Sequence, residues 1–219
     1  MKFKIDLKIL LMILVFYFTG QIKEYVFVIF FAFIHECGHL ITGILLGLKP
    51  YKLEMKPYGF SILFKIRPED INYKIKNGNK FEFKKIIVLF AGPLTNLLII
   101  FMLIPINIIE KNLIINTNLL LMIFNLLPIF PLDGGRILKS VLHIKYGKRK
   151  AEKYINNISY ITVSFLTAIS SIVILKLKNI AIFLIIIVLW ILILKEDLYF
   201  RRKNKIYELI DKAIEIKKD

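Results

Sequence analysis

Long apolar runs separated by basic stretches set the pattern of this chain. Windows of roughly 20 apolar residues, enough for a helix to cross a bilayer, fall at 5–20, 24–44, 86–106, 112–133, 157–175 and 179–195. The first is short, and the fourth contains two prolines and an aspartate. The start, MKFKIDLKILLMILVFYF, has the basic-then-apolar order of a signal peptide but no small-x-small cleavage site. Gln21, Lys23 and Glu24 lead straight into the next run, so it reads as an uncleaved first helix.

A different period governs residues 51–66. Tyr51, Leu53 and Met55 alternate with Lys52 and Glu54, Pro57-Tyr58-Gly59 follows, and Phe60, Ile62, Phe64 and Ile66 then take every second place. Alternation on both sides of a Pro/Gly turn predicts a β-hairpin. An amphipathic hairpin on the bilayer surface and an edge strand offered to an extended peptide both fit it. Residues 68–82 read as a solvated loop around Asn77-Gly78, and 196–219 as a basic tail able to form a short amphipathic helix. The expected fold is therefore an all-α polytopic membrane protein. It has six transmembrane helices and a small membrane-associated β-hairpin between the second and third. The expected domains are a six-helix body at 1–195 and a short cytoplasmic tail at 196–219, with no PDZ and no CBS domain expected.

Composition agrees with that class. Of 219 residues 57% are hydrophobic, with a mean hydropathy of +0.66, where a soluble domain has about 45–50% apolar residues. The net charge of +16 would suit nucleic acid, but its placement does not. With a cytoplasmic N-terminus, all 32 Lys and Arg except Lys23, Lys111, Lys176 and Lys178 fall in or beside cytoplasmic segments. This is the positive-inside asymmetry. No folded basic module remains for nucleic acid. The expected location is the cell membrane, multi-pass, with both termini in the cytoplasm and the bilayer itself as a partner. The lone Cys37 excludes an intramolecular disulfide.

The second apolar run holds His35, Glu36 and His39. Ionisable groups inside a span cost on the order of 2.5–3.5 kcal/mol each, so three within five residues call for a purpose. His35 and His39, four apart, share one helix face, and Glu36 flanks it. Two imidazoles so spaced can bind one Zn²⁺ while the glutamate handles a water proton. Catalytic zinc usually takes a third protein ligand. His143 lies in a basic segment, and the intramembrane acids are few: Glu36 and, at the end of the fourth span, Asp133 in the stretch NLLPIFPLDGGR, residues 125–136. Pro128 and Pro131 must break that helix, and Gly134 and Gly135 allow tight backbone approach. The result looks like a loop built to deliver one carboxylate at the same leaflet as the histidines. Gly43 and Gly47 continue the histidine row in steps of four and would let another helix, such as the fourth, come close.

At these residues the chain resembles the site-2 protease family of intramembrane zinc metalloproteases. His35-Glu36-x-x-His39 is similar to its zinc motif. Asn125-x-x-Pro128-x-x-Pro131-Leu132-Asp133-Gly134-Gly135 is similar to its second motif, and Gly92-Pro93-x-x-Asn96 to a weaker third. The resemblance implies one Zn²⁺ per chain held by His35, His39 and Asp133, with Glu36 as catalytic acid/base. It implies that Asn125 steadies substrate or the developing oxyanion, and that Pro128, Pro131, Gly134 and Gly135 shape the loop. Gly59, Phe60 and Ser61 become the candidate substrate-binding strand. The layout most resembles the stage IV sporulation protein FB type, whose members cut the membrane-associated pro-sequence of a sigma factor. A membrane-associated protein substrate, and a membrane inhibitor or regulatory protein, are the partners this implies. The competing reading is a catalytically silent zinc-binding scaffold or transporter, which would have no need of Glu36.

Overall fold

The computed structural model describes residues 2–5, 7–56, 59–65, 75–177 and 180–216. They form strand β1 (Lys2–Ile5), helices α1 (Lys8–Phe18) and α2 (Ile22–Leu45), and strands β2 (Lys49–Lys56) and β3 (Gly59–Lys65). Five helices follow: α3 (Ile75–Leu103), α4 (Lys111–Leu126), α5 (Asp133–Tyr146), α6 (Lys148–Leu177) and α7 (Ile180–Ile216). The chain divides into two compact units, Met1–Leu127 and Pro128–Asp219.

Each of the six apolar windows contains a helix, but the six-span expectation needs correcting. Among the described residues two helices are long and apolar enough to cross a membrane, Ile22–Leu45 and Asn79–Leu103. Helix α1 has 11 residues and α4 has 16. At 1.5 Å per residue these reach about 17 and 24 Å, short of a hydrocarbon core of about 30 Å. The fourth window runs past its helix because Leu127–Leu132 continue the apolar run, whereas the chain leaves the helix at Leu127. Asp133 then opens a separate helix.

The first unit is inside out compared with a soluble domain. Only 28% and 22% of the apolar windows of α2 and α3 are buried, far less than in a soluble core helix. Val26, Phe30, Phe33 and Ile41 of α2 and Leu94, Leu98 and Phe101 of α3 are exposed, while His35, His39, Asn96 and Asn118 are buried. Lipid accepts the first set, and packed protein must satisfy the second. Glycine sets the α2–α3 distance: a Cβ on Gly38 would strike Thr95 Oγ1 and come within 3.0 Å of the Ala91 carbonyl. The close-approach glycine of α2 is thus Gly38, facing α3. Gly43 instead meets the Phe64 ring of β3, and Gly47, at φ +78°, lies just past the helix C-cap.

The hairpin forms as its alternation predicts, with Lys49 opposite Lys65, Leu53 opposite Ile62, and an irregularity between Pro50 and Lys52. Its turn residues Pro57 and Tyr58 lie outside the described residues. One strand was not expected. Lys2–Ile5 pairs in parallel with Lys52–Met55, giving a three-stranded sheet of order β1-β2-β3. The expected solvated loop also changes, since Ile75–Glu82 already belong to α3 and 68–74 lie outside the described residues.

In the second unit α5, α6 and α7 pack in succession, and α7 runs unbroken through the boundary expected at 195. Its basic end is tied down. Lys203 bonds the buried Glu152 carboxylate at 2.5 Å, and Asp197 accepts from Asn156 at 2.8 Å and from Arg201 at 2.7 Å. Burial pushes the Asp197 carboxyl up, but the bonds from Asn156 and Arg201 outweigh it and hold it below its usual value.

The loop before Asp133 is anchored to α6. The Phe130 N–H donates to Ser159 Oγ at 3.0 Å, and that hydroxyl donates to the Ile155 carbonyl at 2.8 Å. Ser159 is 2% exposed. Replacing it with Ala strands the Phe130 donor and should cost about 1–3 kcal/mol. Ser171→Ala, which removes an exposed hydroxyl, should stay within about 0.5 kcal/mol. Unfolding of the detergent-solubilised variants measures both.

Candidate metal centre

Helix periodicity brings His35 and His39 onto one face of α2, 3% and 5% exposed. Their Nε2 atoms lie 3.1 Å apart and their rings meet edge-on, 87° between planes. Two ligands on neighbouring corners of a tetrahedral zinc, each about 2.0–2.1 Å from the metal, would be about 3.3 Å apart. The donor pair fits.

The other ring nitrogens are held by α3. His39 Nδ1–H donates to the Val88 carbonyl at 2.7 Å. A carbonyl can only accept, so this bond places a proton on Nδ1, and in the neutral ring Nε2 then carries the lone pair. The Asn96 amide nitrogen faces His35 Nδ1 at 3.2 Å, and Asn96 is fully buried. Pro93 lies inside the same helix and withholds a donor from the Leu89 carbonyl, loosening the turn between these two partners. Gly92 completes the cradle. A Cβ there would come within 2.5 Å of both Nε2 atoms, so the imidazoles occupy space that any side chain would fill.

The remaining sequence candidates are placed as follows. Glu36 follows His35 on α2 and is half-buried. Asn125 sits near the end of α4, and its Nδ2 donates to the Leu121 carbonyl of its own helix at 3.0 Å. Gly59, Phe60 and Ser61 begin β3 opposite Lys56, Met55 and Glu54. Asp133 and the loop residues Pro128, Pro131, Gly134 and Gly135 belong to the second unit. Asp133 is buried and is the first residue of α5, where the positive end of the helix dipole favours a carboxylate. Gly135 packs on the backbone of Ile129 and Phe130 so closely that a Cβ would collide with it. The Phe130–Pro131 peptide is cis.

Sequence reasoning noted Gly92 and Asn96 only as a weak motif and gave neither a role. A signal was present, because Asn96 is one of few polar residues in a strongly apolar run, one turn from a glycine. The Val88 carbonyl carries no signal in sequence at all. Asn118, fully buried on α4 and donating to the Ile114 carbonyl at 2.9 Å, also passed unnoticed.

Residues 110–169, which include the Asn125–Gly135 motif, match the family model described as Peptidase family M50. A zinc metalloprotease of Methanocaldococcus jannaschii is 34% identical over 134 residues, covering 57% of this chain and 36% of that protein. Stage IV sporulation protein FB of Bacillus subtilis is 28% identical over 126 residues, covering 55% of this chain and 40% of that protein. The matched parts thus span well under half the length of either curated relative. The solved site-2 protease of Methanocaldococcus jannaschii superposes with a TM-score of 0.63 at 24% identity, over 90% of this chain and 91% of that one. At that identity the superposition speaks to the fold, which is the site-2 protease fold. The chain resembles the site-2 proteases, and its resemblance to the sporulation FB type agrees with these matches.

Gly92→Ala should move both imidazoles and weaken zinc binding at least about tenfold, the scale on which disturbed ligand support acts. Zinc competition with a chelator checks this, and unchanged affinity would mean the cradle is not a metal site.

Proposed function

We propose that the chain is an intramembrane zinc metalloprotease that hydrolyses a peptide bond in or next to a membrane-embedded segment of a protein substrate. The observation that carries this is the histidine pair on α2, its Nε2 atoms turned toward each other and its outer nitrogens tied to α3. Buried imidazoles arranged only for packing would not need a glycine opposite both reactive nitrogens.

In this reading His35, His39 and Asp133 hold one Zn²⁺. The motif order and the buried carboxylate at the start of α5 support Asp133 as third ligand. Zinc, when bound, makes hydroxide available near neutral pH and polarises a carbonyl. Glu36 takes the water proton as the peptide carbonyl is attacked and delivers it to the leaving amine. Asn125 keeps a second amide hydrogen beyond the one given to Leu121, enough to steady substrate or a developing oxyanion. The substrate's peptide groups are hidden in helical hydrogen bonds, so it must unwind before attack. Strand β3, at the end of the β1-β2-β3 order, offers an edge at Gly59, Phe60 and Ser61 that can replace some of those bonds.

The protein sits in the cell membrane as a multi-pass chain with cytoplasmic termini, in keeping with its basic segments. Its substrate is a membrane-associated protein, and the likeness to a sporulation protein favours a regulator such as a pro-sigma factor.

Glu36→Gln should abolish proteolysis, by at least about 10²–10⁴-fold, and keep the zinc. Asp133→Ala should lose zinc and activity together. Elemental analysis beside a cleavage assay separates the readings. A silent scaffold or transporter would keep its function in Glu36→Gln, and full zinc in Asp133→Ala would remove Asp133 from the ligand set. A substrate given helix-breaking residues near the scissile bond should be cut faster than a helix-stabilised version. Equal rates would argue against the unwinding step.

A further inference from the structure

The segment before Asp133 is tied down through its backbone: the Phe130 N–H donates to Ser159, the Leu132 N–H to the Ile129 carbonyl, and Gly135 packs against it. A further tie comes from a side chain of α5. The Lys139 ammonium stands over the Phe130 ring, 4.5 Å from its centre. A stronger partner is close by. The buried Glu152 carboxylate is 3.7 Å away at Oε1, too far for a hydrogen bond. Lys203 of α7 has that same oxygen at 2.5 Å. A second ammonium brought equally near would press against the first. The other oxygen, Oε2, is buried and has no hydrogen-bond partner among the described residues, so Glu152 still has capacity to draw a cation. Phe130, Lys139, Glu152 and Lys203 line one cavity of about 70 Å³, which gives Lys139 room to move. Burial lowers the Lys139 pKa more than Glu152 raises it. Such a cation is short of water, the condition in which a ring contact is strongest.

We propose that Lys139 is a positioning residue for the Asp133 segment, kept on the Phe130 ring because Lys203 occupies the carboxylate oxygen that Lys139 would otherwise take. Phe130 lies three residues before Asp133. With its ring held by Lys139 and its N–H held by Ser159, the stretch leading into α5 has little freedom. The basic end of α7 thus acts on that stretch through two other side chains. Losing Lys203 lets Lys139 move onto Glu152 and off the ring, and the segment loosens. The effect on zinc rests on the reading of Asp133 as third ligand given above.

The test uses the full chain in detergent, with two measurements. Hydrogen exchange at the Phe130 and Leu132 amides is followed in metal-free protein, and zinc affinity is measured by chelator competition. Lys139→Met and Lys203→Met should each exchange these amides about three- to tenfold faster and bind zinc more weakly by a similar factor, the size of one ring contact. Lys139→Arg, which can stack on the ring, should stay within about twofold of wild type in both. Adding Glu152→Gln to Lys203→Met should bring exchange back toward wild type, because a neutral amide no longer draws Lys139 away. Unchanged exchange in Lys139→Met overturns the inference. So does Lys139→Arg behaving like Lys139→Met, or exchange rising throughout α6 as much as at the segment. If Lys203→Met does not fold, the Lys139 pair still decides it. Absence of zinc from the wild type would overturn the metal-site reading, and the exchange measurement would then decide the positioning role alone.

Discussion

A polar group surrounded by lipid-facing apolar surface has no water to fall back on, and the first unit is organised around that constraint. Its exposed faces carry Phe, Leu and Ile, so every donor and acceptor on the inward face of α2 must find its partner on a neighbouring helix. The α2–α3 seam meets this requirement for the two imidazoles. Gly38 lets the helices approach, Thr95 turns its hydroxyl to the Ala91 carbonyl of its own helix at 2.8 Å, and Val88 and Asn96 take the outer nitrogens of the two imidazoles. Support for the histidines and contact between the helices are one set of interactions. A change that loosens the seam also misaims the two imidazoles.

The second unit solves a different problem, which is to hold an irregular segment still. Pro128 and Pro131 deprive it of backbone donors, and few hydrogen bonds are left to fix it. Ser159 supplies one from α6, the Leu132 N–H supplies another to the Ile129 carbonyl at 2.8 Å, and Gly135 allows α5 to begin directly against the segment. Behind it, Glu152 stands between Lys139 at 3.7 Å and Lys203 at 2.5 Å. The buried carboxylate thereby joins α5, α6 and the basic end of α7. Charges that look like solvated tail in the sequence are internal fastenings.

The sequence was most legible where a period or a spacing maps onto geometry. His35 and His39, four apart on a continuous apolar run, had to share a helix face, and the alternation at 51–66 had to make paired strands. It was least legible where the partner is backbone or the signal is short. The Val88 carbonyl is invisible to residue typing. The four-residue alternation Lys2-Phe3-Lys4-Ile5 was absorbed into the helix beginning soon after. Helix ends drifted for the same reason: Leu127, Ile129, Phe130 and Leu132 are apolar, so hydropathy alone extends α4 through a segment whose prolines forbid it. The row His35-His39-Gly43-Gly47 rests on spacing alone, yet Gly43 faces an aromatic ring of β3 and Gly47 lies beyond the C-cap.

The unexpected strand has a mechanical consequence. Strand β1 ends at Ile5 and α1 begins at Lys8, so the link between them can stretch to no more than about 10 Å. Through its pairing with β2, the whole sheet is moored to the start of an apolar helix. Strand β3 connects back through the hairpin, and Phe64 rests against Gly43 of α2. Among the described residues the outer strand of the sheet is thus held from two sides, by the hairpin and by the Phe64 ring on α2. The sheet cannot shift along α2 without pulling on α1, so the two apolar helices set the position of that strand together.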